Sequence, residues 1–150
     1  MEMITVIKYS FDRNFTMQQA EALFLAVDWE SGRYPEQLYH ALMHSETLLT
    51  AHAEEVPLAG LMSAVSDGGM NVYFPYLLVH PAMQHREIGR TLVRMMLEHY
   101  QSFSRKILVC PDKRVHFYES AGWQKAEDQT AMLICTFPES PEETRRRDEN

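Results

Sequence analysis

No stretch of this 150-residue chain approaches the run of about eighteen apolar residues that a membrane-spanning helix requires, so no membrane span is expected. Cysteine is scarce. Cys110 and Cys135 are too few for a disulfide framework, and both lie in apolar, strand-like runs, which makes reduced core thiols of them. Positive charge is in deficit, with 14 Lys and Arg against 21 Asp and Glu and a formal net charge of -7. A nucleic-acid partner would require a basic footprint that this chain lacks, and a cationic substrate suits its sign better. The opening residues, MEMITVIKYS, lack the basic-then-apolar order of a secretory leader, and the cytoplasm is the default compartment. Glycine is sparse, 6 in all, and no G-x-G-x-x-G dinucleotide fingerprint occurs.

What is present reads as a single globular domain over residues 1–137, with 45% hydrophobic and 23% charged residues. β-Branched residues from Met3 to Tyr9 predict a first strand. Thr16 and Gln19 have capping-box spacing and open a helix to about Val27. A second helix starts near Pro35, a residue tolerated in a first turn, and ends near His44. Strands follow over Thr47–His52, Leu58–Ser66 and Asn71–Val79, the last two joined by the tight turn Asp67-Gly68-Gly69. Pro75 removes a ladder donor inside the third of these and predicts a bulge there. Then come a long helix to Tyr100, a strand over Lys106–Cys110, a helix capped by Asp112 and stopped by Gly122, and a last strand over Ala131–Phe137. This order implies an α+β fold, a mixed sheet with helices on both faces. The polar residues 138–150, including Arg145-Arg146-Arg147 flanked by acids, are expected to be a solvated, disordered tail.

The chain is organised around Leu77 to Tyr100. An apolar run ends at Val79, His80-Pro81 stops it, and a short polar turn leads into a helix whose Ile88, Leu92, Met95, Met96 and Tyr100 share one face. Strand, short loop and helix together aim unpaired backbone N–H groups at an anion, and Arg86 and Arg90 add positive charge. This is a candidate phosphate site.

Val79-His80-Pro81 followed by Gln84-x-x-Glu87-x-Gly89 resembles the acetyl-CoA loop of the GNAT-type N-acetyltransferases, Arg/Gln-x-x-Gly-x-Gly/Ala. His116-Phe-Tyr118-Glu-Ser-Ala-Gly122-Trp, about thirty residues on, resembles the family's second signature. The resemblance implies a GNAT-like acyl-CoA N-acyltransferase fold, a mixed and mostly antiparallel sheet whose fourth and fifth strands splay to admit the pantetheine arm. It implies acetyl-CoA as co-substrate, no metal, and a coenzyme site at Leu77, Leu78, Val79, Gln84, His85, Arg86, Glu87, Ile88, Gly89 and Arg90. Glu87 departs from the pattern, standing where the family has glycine. The cradle then requires its side chain to turn outward, and a glycine there is expected to lower helix stability slightly.

Transfer from a thioester to an amine needs a neutral amine, a stabilised oxyanion and a protonated leaving thiolate. Backbone N–H groups at Leu77–Val79 are candidates for the oxyanion. The resemblance makes Tyr118 the acid, since a phenol near 10 can protonate a thiolate whose thiol titrates near 8.5. For the base, Asp28, Glu30, His80 and His116 stay open, as does a water relay. Trp29, Tyr34, Tyr73 and Tyr76, with Trp123, are candidates for lining the acceptor pocket, where aromatic faces and nearby carboxylates suit a small amine. The expected reaction is acetylation of a small-molecule primary amine by direct attack in a ternary complex, with a homodimer among the open assemblies. The alternatives are a coenzyme-binding module without turnover and an enzyme acting on a protein lysine or N-terminus.

Overall fold

The computed structural model describes residues 6–138 and residue 149. The expected strand residues Met3–Thr5 and almost all of the tail lie outside them. The elements are β1 (Lys8–Ser10), α1 (Met17–Ala26), α2 (Pro35–His44), β2 (Thr47–His52), β3 (Gly60–Ser66), β4 (Asn71–Tyr73), β5 (Leu77–Val79), α3 (Ile88–His99), β6 (Arg105–Ile107) and α4 (Val115–Ser120). Single 3₁₀ turns precede α2, α3 and α4. No helix among the described residues is long and apolar enough to cross a membrane.

Local chemistry sets the ends of these elements. The Thr16 side chain accepts from Gln19 N–H at 3.1 Å, and the Gln19 side chain accepts from Thr16 N–H at 3.0 Å, closing a capping box on α1. At the far end of α2 the Arg13 guanidinium donates to the carbonyls of Leu42, Met43, Ser45 and Glu46 at 3.0, 2.7, 2.5 and 3.0 Å, satisfying groups left open at the helix end. In the β3–β4 turn the Asp67 carboxylate accepts from the N–H groups of Gly69, Met70 and Asn71 at 3.0, 2.7 and 3.0 Å. These bonds, led by Asn71, hold its carboxyl far below the usual range.

The strands run β1-β2-β3-β4-β6, with β5 also paired to β3; all contacts are antiparallel except the parallel pair β4–β6. Side chains alternate across the sheet and so divide two cores. Leu49, Ala51, Met62, Ala64 and Val72 face α3 with Ile88, Leu92, Val93 and Met96. Leu48, Leu61 and Leu78 face α1 and α2 with Leu23, Phe24, Leu38 and Leu42. Helices therefore cover both faces of a mixed, mostly antiparallel sheet, as expected.

Four expectations are corrected. The strand over Asn71–Val79 is two strands, broken at Phe74–Tyr76 because Pro75 cannot continue the ladder. Residues 131–137 form no strand; they are exposed and, among the described residues, pair with no strand of the sheet. The cysteines are not core thiols, since Cys135 lies in that exposed run and Cys110 is half-buried. Asp112 does not cap α4, which follows a 3₁₀ turn over Asp112–Arg114 with no side-chain cap.

Candidate active site

Between the register pairs Met62↔Leu77 and Val65↔Tyr73, Ser63 and Ala64 of β3 oppose Phe74, Pro75 and Tyr76, so one extra residue bulges out. Ser63 pins the bulge twice: its N–H donates to Tyr76 O at 2.9 Å and its Oγ accepts from Tyr76 N–H at 3.2 Å. Phe74 N–H donates to Ile107 O at 3.0 Å, and past that bond the two halves of the sheet part. Leu77–Val79 then face Leu108–Pro111 across a cleft of about 830 Å³.

Backbone parity decides what β5 offers to that cleft. Ser63 N–H bonds Tyr76 O and His80 N–H bonds Ala59 O at 2.7 Å, so residues 76, 78 and 80 turn toward β3. The N–H and C=O groups of Leu77 and Val79 therefore turn away from β3, into the gap.

The loop after β5 supplies a second set of donors. His85 and Glu87 both adopt the left-handed conformation, at φ 66° and 63°. The first helical bond of α3 runs from Thr91 N–H to Glu87 O at 3.0 Å, which leaves the N–H groups of Ile88, Gly89 and Arg90 without helical acceptors. Glu87 does not cap them. Its carboxylate points outward, 77% exposed and 3.7 Å from Arg90 Nε. A left-handed residue followed by open helical N–H groups forms a concave anion nest at the positive end of the helix dipole. A Cβ on Gly89 would stand 3.3 Å from Phe117 Cζ, so the glycine lets α4 approach the nest closely.

Tyr118 enters from α4. Gly122, at φ 96°, ends that helix: Gly122 N–H bonds Glu119 O at 3.1 Å and Trp123 N–H bonds Tyr118 O at 3.0 Å. This return packs Trp123 edge-on against both Tyr118 and Phe74, each at 6.0 Å between ring centroids. The Tyr118 hydroxyl has no hydrogen-bond partner among the described residues. Burial pushes the phenol up to about 12, with a further rise from Cys110 and an opposing pull from Arg114. It is therefore protonated at neutral pH and is a weaker acid than an ordinary phenol.

Of the residues proposed for the coenzyme, Leu77, Leu78, Val79, Gln84, His85, Glu87, Ile88, Gly89 and Arg90 line the cleft, whereas Arg86 is exposed outside it. Trp29 lines it too, packed against Phe24 and Tyr76 at 5.7 and 5.6 Å. Tyr76 stands behind Trp29, its hydroxyl 3.0 Å from Ser31 Oγ. Tyr34 stacks on Phe137 at 5.0 Å and donates to Pro138 O at 2.7 Å, and Tyr73 is exposed on β4 outside the cleft lining. Among the base candidates only Asp28 lines the cleft. Glu30 pairs with Arg33 at 3.6 Å, His80 Nδ1 accepts from Ala82 N–H at 3.1 Å, and His116 stands in solvent beside Glu119.

Lys113 and Arg114 also line the cleft and were missed from sequence. Their signal was available, because Arg114 lies one helical turn before Tyr118 and shares its face.

Comparison with known proteins bears on this geometry. Residues 13–137 match the family model described as the acetyltransferase (GNAT) domain. A GNAT-family acetyltransferase from Streptococcus pneumoniae is 27% identical with a TM-score of 0.73, over 89% of this chain and 98% of that one. A structure from Deinococcus radiodurans described as an acetyltransferase is 24% identical with a TM-score of 0.69, over 86% and 87% of the two chains. Glucosamine-6-phosphate N-acetyltransferase from Arabidopsis thaliana shares the fold at 13% identity and a TM-score of 0.63, over 87% and 99%. No curated protein matches the sequence.

Proposed function

Because the chain belongs to the GNAT acetyltransferase family, we propose that it moves an acetyl group from acetyl-CoA to a primary amine of a small molecule by direct attack in a ternary complex. The observation that carries this reading is that one continuous cleft joins the N–H nest of α3, the gap beside β5 and the Tyr118 ring. The nest fits a pyrophosphate, and Lys113 and Arg114 add positive charge to the same cleft. The open groups of Leu77 and Val79 suit the amides and thioester of a pantetheine arm laid along β5 like an added strand.

The amine nitrogen attacks the thioester carbonyl carbon, and charge builds on the carbonyl oxygen beside the backbone donors of β5. Collapse of this intermediate breaks the C–S bond. Tyr118 donates its hydroxyl hydrogen bond to the departing sulfur, and its raised pKa places full proton transfer late. Asp28, directly or through water, takes the proton the nitrogen loses. The products are an amide and a free thiol. The Trp29 face beside the Asp28 carboxylate favours an acceptor that arrives as an ammonium with an apolar body and loses one proton to solvent before it attacks.

Two assays test this. Acetyl-CoA at a hundredfold excess over its dissociation constant should stabilise the fold by about 2.7 kcal/mol, and a panel of small amines should release thiol. An unmoved melting temperature overturns the coenzyme site. Stabilisation without thiol release from any amine or peptide identifies a silent binding module, and release with peptides alone moves the acceptor to proteins.

A further inference from the structure

The acid role of Tyr118 creates a charge that its surroundings do not favour. A phenol that gives up its proton becomes a phenolate, and this one is packed edge-on against Trp123 with burial raising it to about 12. Two other groups bear on it. The Cys110 thiol, itself raised by burial and by Asp112, makes the phenolate harder to form. Arg114 makes it easier.

Arg114 owes its place to α4. It stands directly before the helix, four residues ahead of Tyr118, and its own backbone is already near-helical at φ -102° and ψ -2°. At 3.6 residues per turn the two side chains share one face. A helical side chain leans toward the N-terminus, so the Tyr118 ring leans back over the turn that begins at Arg114. Both residues line the cleft. Lys113 lines it too, but one position earlier it sits off this face. The other charged pair of α4, His116 and Glu119, is joined at 3.7 Å with His116 fully exposed. Arg114 has no carboxylate partner among the described residues, so its charge is free to act on the phenol.

We propose that Arg114 is a positioning residue that acts through Tyr118, its guanidinium offsetting the negative charge the phenol oxygen takes on while protonating the departing sulfur. The inference rests on the acyl-transfer reading above. As the C–S bond breaks, the O–H bond of Tyr118 breaks and an S–H bond forms. The electron pair left on oxygen then faces a cation that does not deprotonate. Water returns a proton to the oxygen once the thiol has left. With that charge offset, a phenol weaker than an ordinary one still serves a thiolate whose thiol titrates near 8.5.

Steady-state thiol release by wild type, Arg114→Gln, Arg114→Lys, Tyr118→Phe and the double variant Arg114→Gln with Tyr118→Phe tests this, with acetyl-CoA affinity measured calorimetrically for each. Arg114 is exposed, so its variants should fold. Arg114→Gln should lower kcat by about three- to tenfold, and Arg114→Lys should restore most of the loss. In the Tyr118→Phe background the glutamine should cost no further kcat, because the group it acts through is gone. An acyl donor with a more acidic leaving thiol should lose less in Arg114→Gln, since it needs the proton less. A loss confined to coenzyme affinity, with kcat intact, makes Arg114 a phosphate contact and overturns the proposal. An equal fall in kcat with and without Tyr118 overturns it as well. A wild type that releases no thiol with any amine fails at the underlying reaction and takes this proposal with it.

Discussion

Glu87 is the residue at which sequence and backbone disagree most sharply, and Glu87→Gly measures the disagreement. It holds φ 63° and ψ 11° at the start of α3. For a residue with a Cβ that conformation costs about 1–2 kcal/mol. Glycine removes the strain and adds roughly 0.5–1 kcal/mol of backbone entropy to be lost on folding. The ion pair to Arg90 joins two exposed groups 3.7 Å apart and contributes about 0–1 kcal/mol. Glu87→Ala cancels that uncertainty, because both variants lose the carboxylate and only alanine keeps the Cβ. Urea unfolding should therefore place the glycine variant above the alanine variant by about 1 kcal/mol, and within about 1 kcal/mol of wild type. Calorimetric titration with acetyl-CoA should show both variants binding at most about two- to fivefold more tightly, since Arg90 is released and an exposed negative charge outside the nest is removed. An alanine variant as stable as the glycine variant would mean that residue 87 is not left-handed in solution. Weaker binding by both would mean that the carboxylate contacts the ligand.

Tyr118→Phe should keep coenzyme affinity and lower kcat by roughly 10²–10⁴; near-wild-type turnover would remove Tyr118 from the chemistry. The same residue has an alkaline signature. Its folded pKa is raised to about 12, so the stability linked to its proton is complete below the ordinary phenol value near 10 and is lost as pH rises from there to about 12. Unfolding free energies across that window should fall less steeply in Tyr118→Phe than in wild type, and identical slopes would contradict the buried phenol. Arg13→Ala strips four carbonyls at and just past the end of α2 of a charged donor and should lower stability by about 2–3 kcal/mol in urea unfolding with coenzyme affinity unchanged. Arg13→Lys should recover only part of the loss, because an ammonium cannot reproduce the guanidinium fork.

Local rules in the sequence determined much of this protein. The Thr16–Gln19 box, Pro35 at the first turn of α2, Asp67-Gly68-Gly69 between β3 and β4, and Gly122 at the end of α4 each act within a few residues, and each appears where its spacing placed it. The two motifs at 79–89 and 116–123 sufficed to point to the fold family, because both demand a particular loop-to-helix geometry. Pro75 foretold the bulge for the same reason: a missing N–H is a local fact.

Only the tertiary structure decided what depends on distant neighbours. That Glu87 holds a left-handed backbone is set by the turn into α3, and it adds strain relief to the entropy cost expected of a glycine there. Tyr118 and Cys110 both line the cleft, and burial first, then Cys110, raises the phenol in a way no spacing encodes. Of the four side chains open as the base, packing brought Asp28 alone to the cleft. The apolar run at 131–137 has the composition of a strand, yet a strand exists only where an edge pairs with it, and in the single chain that edge stays open. Hydrophobic pattern determines which segments seek a partner, and the arrangement of the whole chain determines whether one is within reach.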